Sequence, residues 1–160
     1  MMDVKPQKEH AWLQKLVGEW SADMECVMGP DQPPMKSKAS EVTRSIGGLW
    51  TQGEGSGEMS DGSKATSIMT LGYDPQKQRF IGTFIASMMT HMWKYEGSLD
   101  ASRKVLTLDT EGPGMTGDGL MKYQDIITFV DDDHRILTSR VQGEDGTWTQ
   151  FMTAHYRRKR

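Results

Sequence analysis

The chain has 160 residues, which allows one core of ordinary size and, by length, a single domain over residues 1–160. A formal charge of -3 and a pI near 5.8 exclude the basic face that phosphate binding needs, so no nucleic-acid partner is expected. One cysteine, Cys26, excludes an internal disulfide framework, and no apolar run is long enough to span a bilayer, so a cytoplasmic protein without a membrane partner is expected.

The first ten residues carry Asp3, Lys5, Lys8 and Glu9 and lack the apolar stretch of a secretory signal. Pro6 then precedes a segment, about residues 7–17, in which Ala11, Trp12, Leu13, Leu16 and Val17 recur at helical spacing. After Gly18 the period changes to two. Trp20, Ala22, Met24, Cys26 and Met28 alternate with Ser21, Asp23 and Glu25, the pattern of a strand with one buried face and one wet one. Cys26 shares the apolar phase and reads as a small buried hydrophobe rather than a nucleophile.

Further strands are predicted at Met35 to Ile46, Leu49 to Met59, Ala65 to Tyr73, Arg79 to Ser87 and Thr90 to Leu99, then at Val105 to Glu111, Met121 to Val130, Arg135 to Val141 and Trp148 to Arg157. Asp61-Gly62, Asp118-Gly119 and Asp145-Gly146 supply the backbone that tight hairpins need, and Asp74-Pro75 starts another turn. Gly29 to Pro34 and Glu111 to Gly119 read as loops. Strands joined this way pair with their sequence neighbours, and a series this long leaves costly edges unless it closes on itself. The expected fold is therefore all-β: a closed antiparallel barrel of about ten strands, over about residues 19–157, with a short N-terminal helix. Gly53, Gly55 and Gly57 fit the sharp bending that closure requires.

The lumen of such a barrel takes one small ligand. The densest candidate site is Met88-Met89-Thr90-His91-Met92-Trp93-Lys94-Tyr95, where Lys94 belongs outside and His91, Trp93 and Tyr95 belong inside. Two amphipathic rings and an imidazole can orient a ligand that apolar walls bury. The alternative is a core histidine with space-filling aromatics. Thirteen methionines is a high count, and Met24, Met28, Met69 and Met152 fall on inward faces, where flexible thioethers can adapt to apolar ligands or simply fill gaps. Glu41, in phase with Ala39 and Thr43, and Asp125, in phase with Tyr123 and Ile127, also point inward. A carboxylate there needs an Arg, a donor or a proton, so each is either a ligand anchor or half of a structural pair.

Two other strings fail their context. Gly112-Pro113-Gly114-Met115-Thr116-Gly117 spells G-x-G-x-x-G but opens no helix and lies in no βαβ unit. Asp131, Asp132 and Asp133 lack the spacing of a calcium loop and read as a solvated hairpin, and the basic run from Arg157 to Arg160 reads as a solvated terminus plus one packed Arg.

The order of short helix, Gly18-Glu19-Trp20, antiparallel strands and terminal Arg resembles the calycin-like barrels, which include lipocalins and fatty-acid-binding proteins. That resemblance implies that Trp20 packs beneath an Arg of the last strand and closes the barrel: Arg158, which shares parity with Met152, Ala154 and Tyr156, or Arg157 if the strand turns over. Longer strings are similar to the bacterial family known as domain of unknown function 1579: Gly47-Gly48-Leu49-Trp50, Gly72-Tyr73-Asp74-Pro75 with Arg79-Phe80, Ser87-Met88-Met89-Thr90, Asp131 to Arg135, and Phe151 to Tyr156. This resemblance implies the fold and no particular activity. The outline also resembles nitrobindin-like barrels, which implies a haem alternative through His155 or His91, although His155 shares its parity with Phe151 and Thr153 rather than with the inward face.

The expected function is to hold a small, mostly apolar molecule without transforming it, with no cofactor. Two alternatives stay open: an enzyme using His91 with Glu41 or Asp125 as acid and base, and an interaction module, for example a homodimer through exposed strand faces.

Overall fold

Ten antiparallel strands each pair with their chain neighbours, and the last returns to the first, closing a cylinder. The computed structural model describes residues 4–27, 29, 31–59, 61–114, 117 and 119–159. Met28, Met115, Thr116, Asp118 and Arg160, singled out in the sequence, lie outside the described residues. A helix α1 (Lys8–Leu13) runs into a 3₁₀ turn (Gln14–Leu16). The strands are β1 (Gly18–Cys26), β2 (Met35–Ile46), β3 (Trp50–Glu58), β4 (Lys64–Asp74) and β5 (Arg79–Ala86), then β6 (Trp93–Leu99), β7 (Val105–Pro113), β8 (Leu120–Asp131), β9 (His134–Gln142) and β10 (Trp148–Arg158). Among the described residues no helix is long and apolar enough to cross a membrane.

The fold class is the one the alternation predicts, and the departures are local. The helical segment is shorter than residues 7–17, because its last turn tightens to 3₁₀ and ends at Leu16. β6 begins at Trp93 rather than Thr90, since its ladder with β5 stops where Phe84 faces Trp93. β7 runs on into the expected loop as far as Pro113, opposite Leu120. Hairpin chemistry explains the neighbour-to-neighbour pairing. Gly62, Gly119 and Gly146 adopt φ of 86°, 70° and 84°, and the Asp145 carboxylate accepts the Thr147 N–H at 3.0 Å.

One end of the cylinder is plugged. A six-residue helix is unstable alone, and α1 persists because it buries Trp12 and Leu13 over the barrel end, with Leu16 of the 3₁₀ turn beside them. The Trp12 ring meets Phe129 edge-on at 5.4 Å and Phe80 at 6.1 Å, and its indole N–H donates to the Arg103 carbonyl at 2.7 Å. Leu71, Leu106, Leu108 and Ile127 complete a core packed against this plug, so the solid part of the interior lies at the helix end.

β1 and β10 close the cylinder with Trp20 directly opposite Arg158. The Trp20 indole, fully buried, donates to the Leu16 carbonyl at 2.9 Å. Arg158 lies over that ring at 4.2 Å and donates to the carbonyls of Val17 at 2.7 Å, Lys15 at 3.0 Å and Asp132 at 2.9 Å. One guanidinium therefore ties the 3₁₀ turn, the start of β1 and the β8–β9 turn to the last strand. Arg158→Ala removes these charge-assisted bonds and the ring contact, and a loss of about 2–4 kcal/mol is expected. Urea titration followed by circular dichroism checks it; a midpoint equal to that of the unsubstituted protein would contradict this role.

Candidate functional site

Between the plug and the opposite end the lumen is hollow. A cavity of about 640 Å³ runs down it, within the range that holds a drug-sized molecule. Its mouth lies where β3, β5 and β7 end, and Met59, Met88 and Met89 line it while remaining exposed. Most of its wall is apolar: Met24, Met69, Phe84, Trp93, Leu137, Phe151 and Met152 all face in.

Small residues make room for the larger ones. At Gly112 an added Cβ would fall 2.1 Å from the Trp93 ring, so the bare backbone of β7 lets that indole lie flat against the wall. At Gly53 it would fall 2.9 Å from the Thr43 hydroxyl and 3.1 Å from the Glu41 carboxylate, so β3 leaves space for a polar group to point inward from β2.

Two polar clusters interrupt the apolar wall. In the deeper one, Arg135 of β9 reaches across the lumen to Glu41 of β2, with Nη2 donating to Oε1 at 2.6 Å; the Thr43 hydroxyl donates to the same oxygen at 2.6 Å. Both partners are largely buried, with side-chain exposures of 4% and 17%. The guanidinium also lies 4.0 Å from the Tyr156 ring centre and 4.7 Å from that of Trp20, which gives the buried cation π-faces as well as a counter-ion. Burial pushes the Tyr156 hydroxyl well above the usual phenol range, with the Glu41 charge adding to it.

In the second cluster both oxygens of Asp125 are engaged, one by the Tyr95 hydroxyl and the other by the Ser139 hydroxyl at 2.7 Å. Burial raises the Asp125 carboxyl above the ordinary aspartate value, and the two hydroxyl bonds oppose that rise only in part. Tyr95 is also pushed well up, by burial and then by the neighbouring Asp125 charge.

The residues singled out in the sequence are distributed as follows. Met24, Met69, Met152, Glu41, Asp125 and Trp93 line the cavity. Tyr95 points inward but is buried in the wall, where its hydroxyl is used by Asp125. His91 does not line the cavity, and the correction has a clear reason. It precedes β6, so strand alternation does not extend to it, and its Nε2 meets the Glu111 carbonyl at 2.9 Å. It touches the site indirectly, edge-on to Trp93 at 4.8 Å. The acid–base set of His91 with Glu41 or Asp125 is thus not assembled.

The haem alternative does not fit the residues present. None of the four histidines lines the cavity. His155 lies between the inward-facing Ala154 and Tyr156, and its Nδ1 is 3.0 Å from Nε2 of His134. Burial, then the charges of Arg157 and His155, lowers the pKa of His134, which suits an uncharged imidazole in that pair.

Other lining residues lie beyond the sequence candidates, among them Arg135, Phe151 and Thr110. Arg135 shares phase with Leu137 and Ser139, a signal that was present. Phe151 lines the cavity beside Met152 because the β9–β10 register shifts between Gln150 and Met152, and such a bulge cannot be read from alternation. Thr110 lines the cavity from β7 with its hydroxyl buried and, among the described residues, unpartnered.

These features define a closed ten-stranded barrel with one plugged end and a lumen lined largely by apolar groups. The chain belongs to the family described as protein of unknown function (DUF1579), whose model matches residues 5–158. Among solved structures it is similar to Rv2717c from M. tuberculosis, at 14% identity over 99% of this chain and 100% of that one, with a TM-score of 0.62. It is also similar to the S-type phycobiliprotein lyase CPES from Guillardia theta, at 12% identity over 98% and 94% of the two chains, with a TM-score of 0.61. The barrel EF1p2_mFAP2b bound to DFHBI matches at 15% identity over 94% and 98%, with a TM-score of 0.50. At these identities the likeness is one of fold. No curated protein matches the sequence.

Burial favours the protonated form of Asp125, so the stability this group contributes is complete below the unfolded-state value near 3.8 and is lost as pH rises through the folded-state value. Asp125→Asn keeps the shape without the titration. Its stability relative to the unsubstituted protein is expected to increase between about pH 3.5 and pH 7 in urea titrations. A pH-independent difference would contradict the assignment.

Proposed function

We propose that this protein binds a small, mostly apolar molecule in its lumen and holds it without chemical change. The observation that carries the reading is the cavity of about 640 Å³ with apolar walls, open at one end among the described residues and polar at depth. Transfer of apolar surface from water into such a space is favourable by roughly 25 cal/mol for each Å² buried. The polar clusters then fix orientation.

In this reading Met24, Met69 and Met152 form adaptable wall contacts, and Trp93 offers a flat face near the mouth. Trp93 is held by edge contacts to His91 and to Tyr123 at 4.9 Å and by its N–H on the Met89 sulfur at 3.4 Å. Glu41 and Asp125 act as structural partners that hold Arg135, Tyr95 and Ser139 in place rather than as an acid and base, with Glu41 Oε1 accepting from Arg135 and Thr43 and both Asp125 oxygens accepting from Tyr95 and Ser139. One structural neighbour is bound to DFHBI, which supports a small-molecule role for a barrel of this shape and leaves the ligand's chemistry to be read from this lumen.

A neutral apolar dye such as Nile red is expected to bind one-to-one with a blue-shifted, enhanced emission. Ser67→Trp, which places an indole in the cavity from β4, is expected to weaken that binding by at least about tenfold while leaving the β-sheet circular dichroism unchanged. Equal dye binding by the two proteins would place the dye elsewhere and remove the support for a lumenal site.

A further inference from the structure

We infer that the buried end of the bound molecule is an uncharged hydrogen-bond acceptor, a ketone, ester or amide carbonyl, and neither a carboxylate nor an ammonium. This inference rests on the lumen being a binding site. The charged side chains lining the cavity are Lys38, Glu41, Glu58, Asp125 and Arg135. Lys38 and Glu58 are exposed, so the interior holds the Arg135–Glu41 ion pair and Asp125, whose uncharged form burial favours.

A carboxylate would have to share Arg135 with Glu41, which already receives Nη2 at 2.6 Å, and would place a second negative charge beside that one. In a space of low dielectric such crowding of like charge is costly. An ammonium fares no better. Arg135 repels it, the Asp125 oxygens are taken by Tyr95 and Ser139, and the bonded Glu41 oxygen is taken by Arg135 and Thr43.

What the protein leaves unsatisfied points the same way. Among the described residues Arg135 Nε and Thr110 Oγ1 are buried without a partner, and both side chains line the cavity. Arg135 is 3% exposed and Thr110 8%. Nε is a donor only, so what it lacks is an acceptor. A neutral carbonyl oxygen supplies that acceptor without disturbing the charge balance already present.

The backbone positions that carry the two groups are also far apart along the sheet. Thr110 faces Tyr123 and Arg135 faces Phe129 across β8, and about 20 Å of strand separates those two positions. The occupant is therefore elongated, with its carbonyl at depth beside Arg135 and any second polar atom toward the mouth beside Thr110.

The test is a matched series of one chain length titrated into the purified protein by calorimetry at neutral pH: 2-undecanone, undecanoate and undecylammonium. The ketone is expected to bind at least about tenfold more tightly than either ion. Glu41→Gln frees the Arg135 charge and is expected to raise undecanoate affinity, relative to that of the ketone, by about tenfold. Undecanoate or undecylammonium binding as tightly as the ketone to the unsubstituted protein would overturn the inference and leave the lumenal site standing. Failure of all three to bind, with no displacement of Nile red, would overturn the site and the inference together. The unsubstituted protein decides the matter even if Glu41→Gln does not fold.

Discussion

A guanidinium inside an apolar cylinder requires a counter-charge, and the ion pair of Arg135 with Glu41 meets that requirement at 2.6 Å. Removing one partner of such a pair costs about 3–5 kcal/mol, because the other is left charged and buried. Several other features follow from holding this pair. Gly53 gives up its side chain so that Glu41 can turn inward, Thr43 supplies a second bond to the carboxylate, and the rings of Tyr156 and Trp20 flank the guanidinium. The pair also sets the character of the lumen: it is polar at depth while remaining balanced in charge.

Trp20 joins this floor to the closure of the barrel. Its ring is in contact with Arg135 from the lumen and with Arg158 from the last strand, and its indole N–H holds the 3₁₀ turn. The plugged end and the polar floor are therefore one packed unit, and the hollow part of the molecule begins just beyond it. Toward the mouth no comparable plug exists among the described residues, and the wall is built from Met, Phe and Trp side chains spaced by glycines. Rigidity is concentrated at one end and adaptability at the other, an arrangement suited to anchoring one end of a ligand while tolerating variation in the rest.

The parts of this molecule legible in the sequence are those set by local rules. Period-two alternation reaches Met24, Met69, Met152, Glu41 and Asp125, all of which line the cavity, because a strand's faces are determined by neighbouring residues alone. Asp-Gly turns make neighbour pairing legible for the same reason. His91 departs from the alternation because it lies two residues ahead of the start of β6 at Trp93, where no ladder fixes the side a residue faces. Phe151 was missed because a bulge reverses the phase within β10. The partnership of Glu41 with Arg135 spans 94 positions and depends on how the closed sheet brings β2 and β9 to face each other, which no local pattern encodes.

The most direct measurement is a crystal structure of the protein purified from cells without detergent or organic solvent, at a resolution that shows ordered water. The account predicts elongated density in the lumen, with an oxygen within hydrogen-bond distance of Nε of Arg135 and the Glu41 pair intact. A lumen filled by repacked side chains, with Arg135 Nε satisfied by the protein itself, would contradict it.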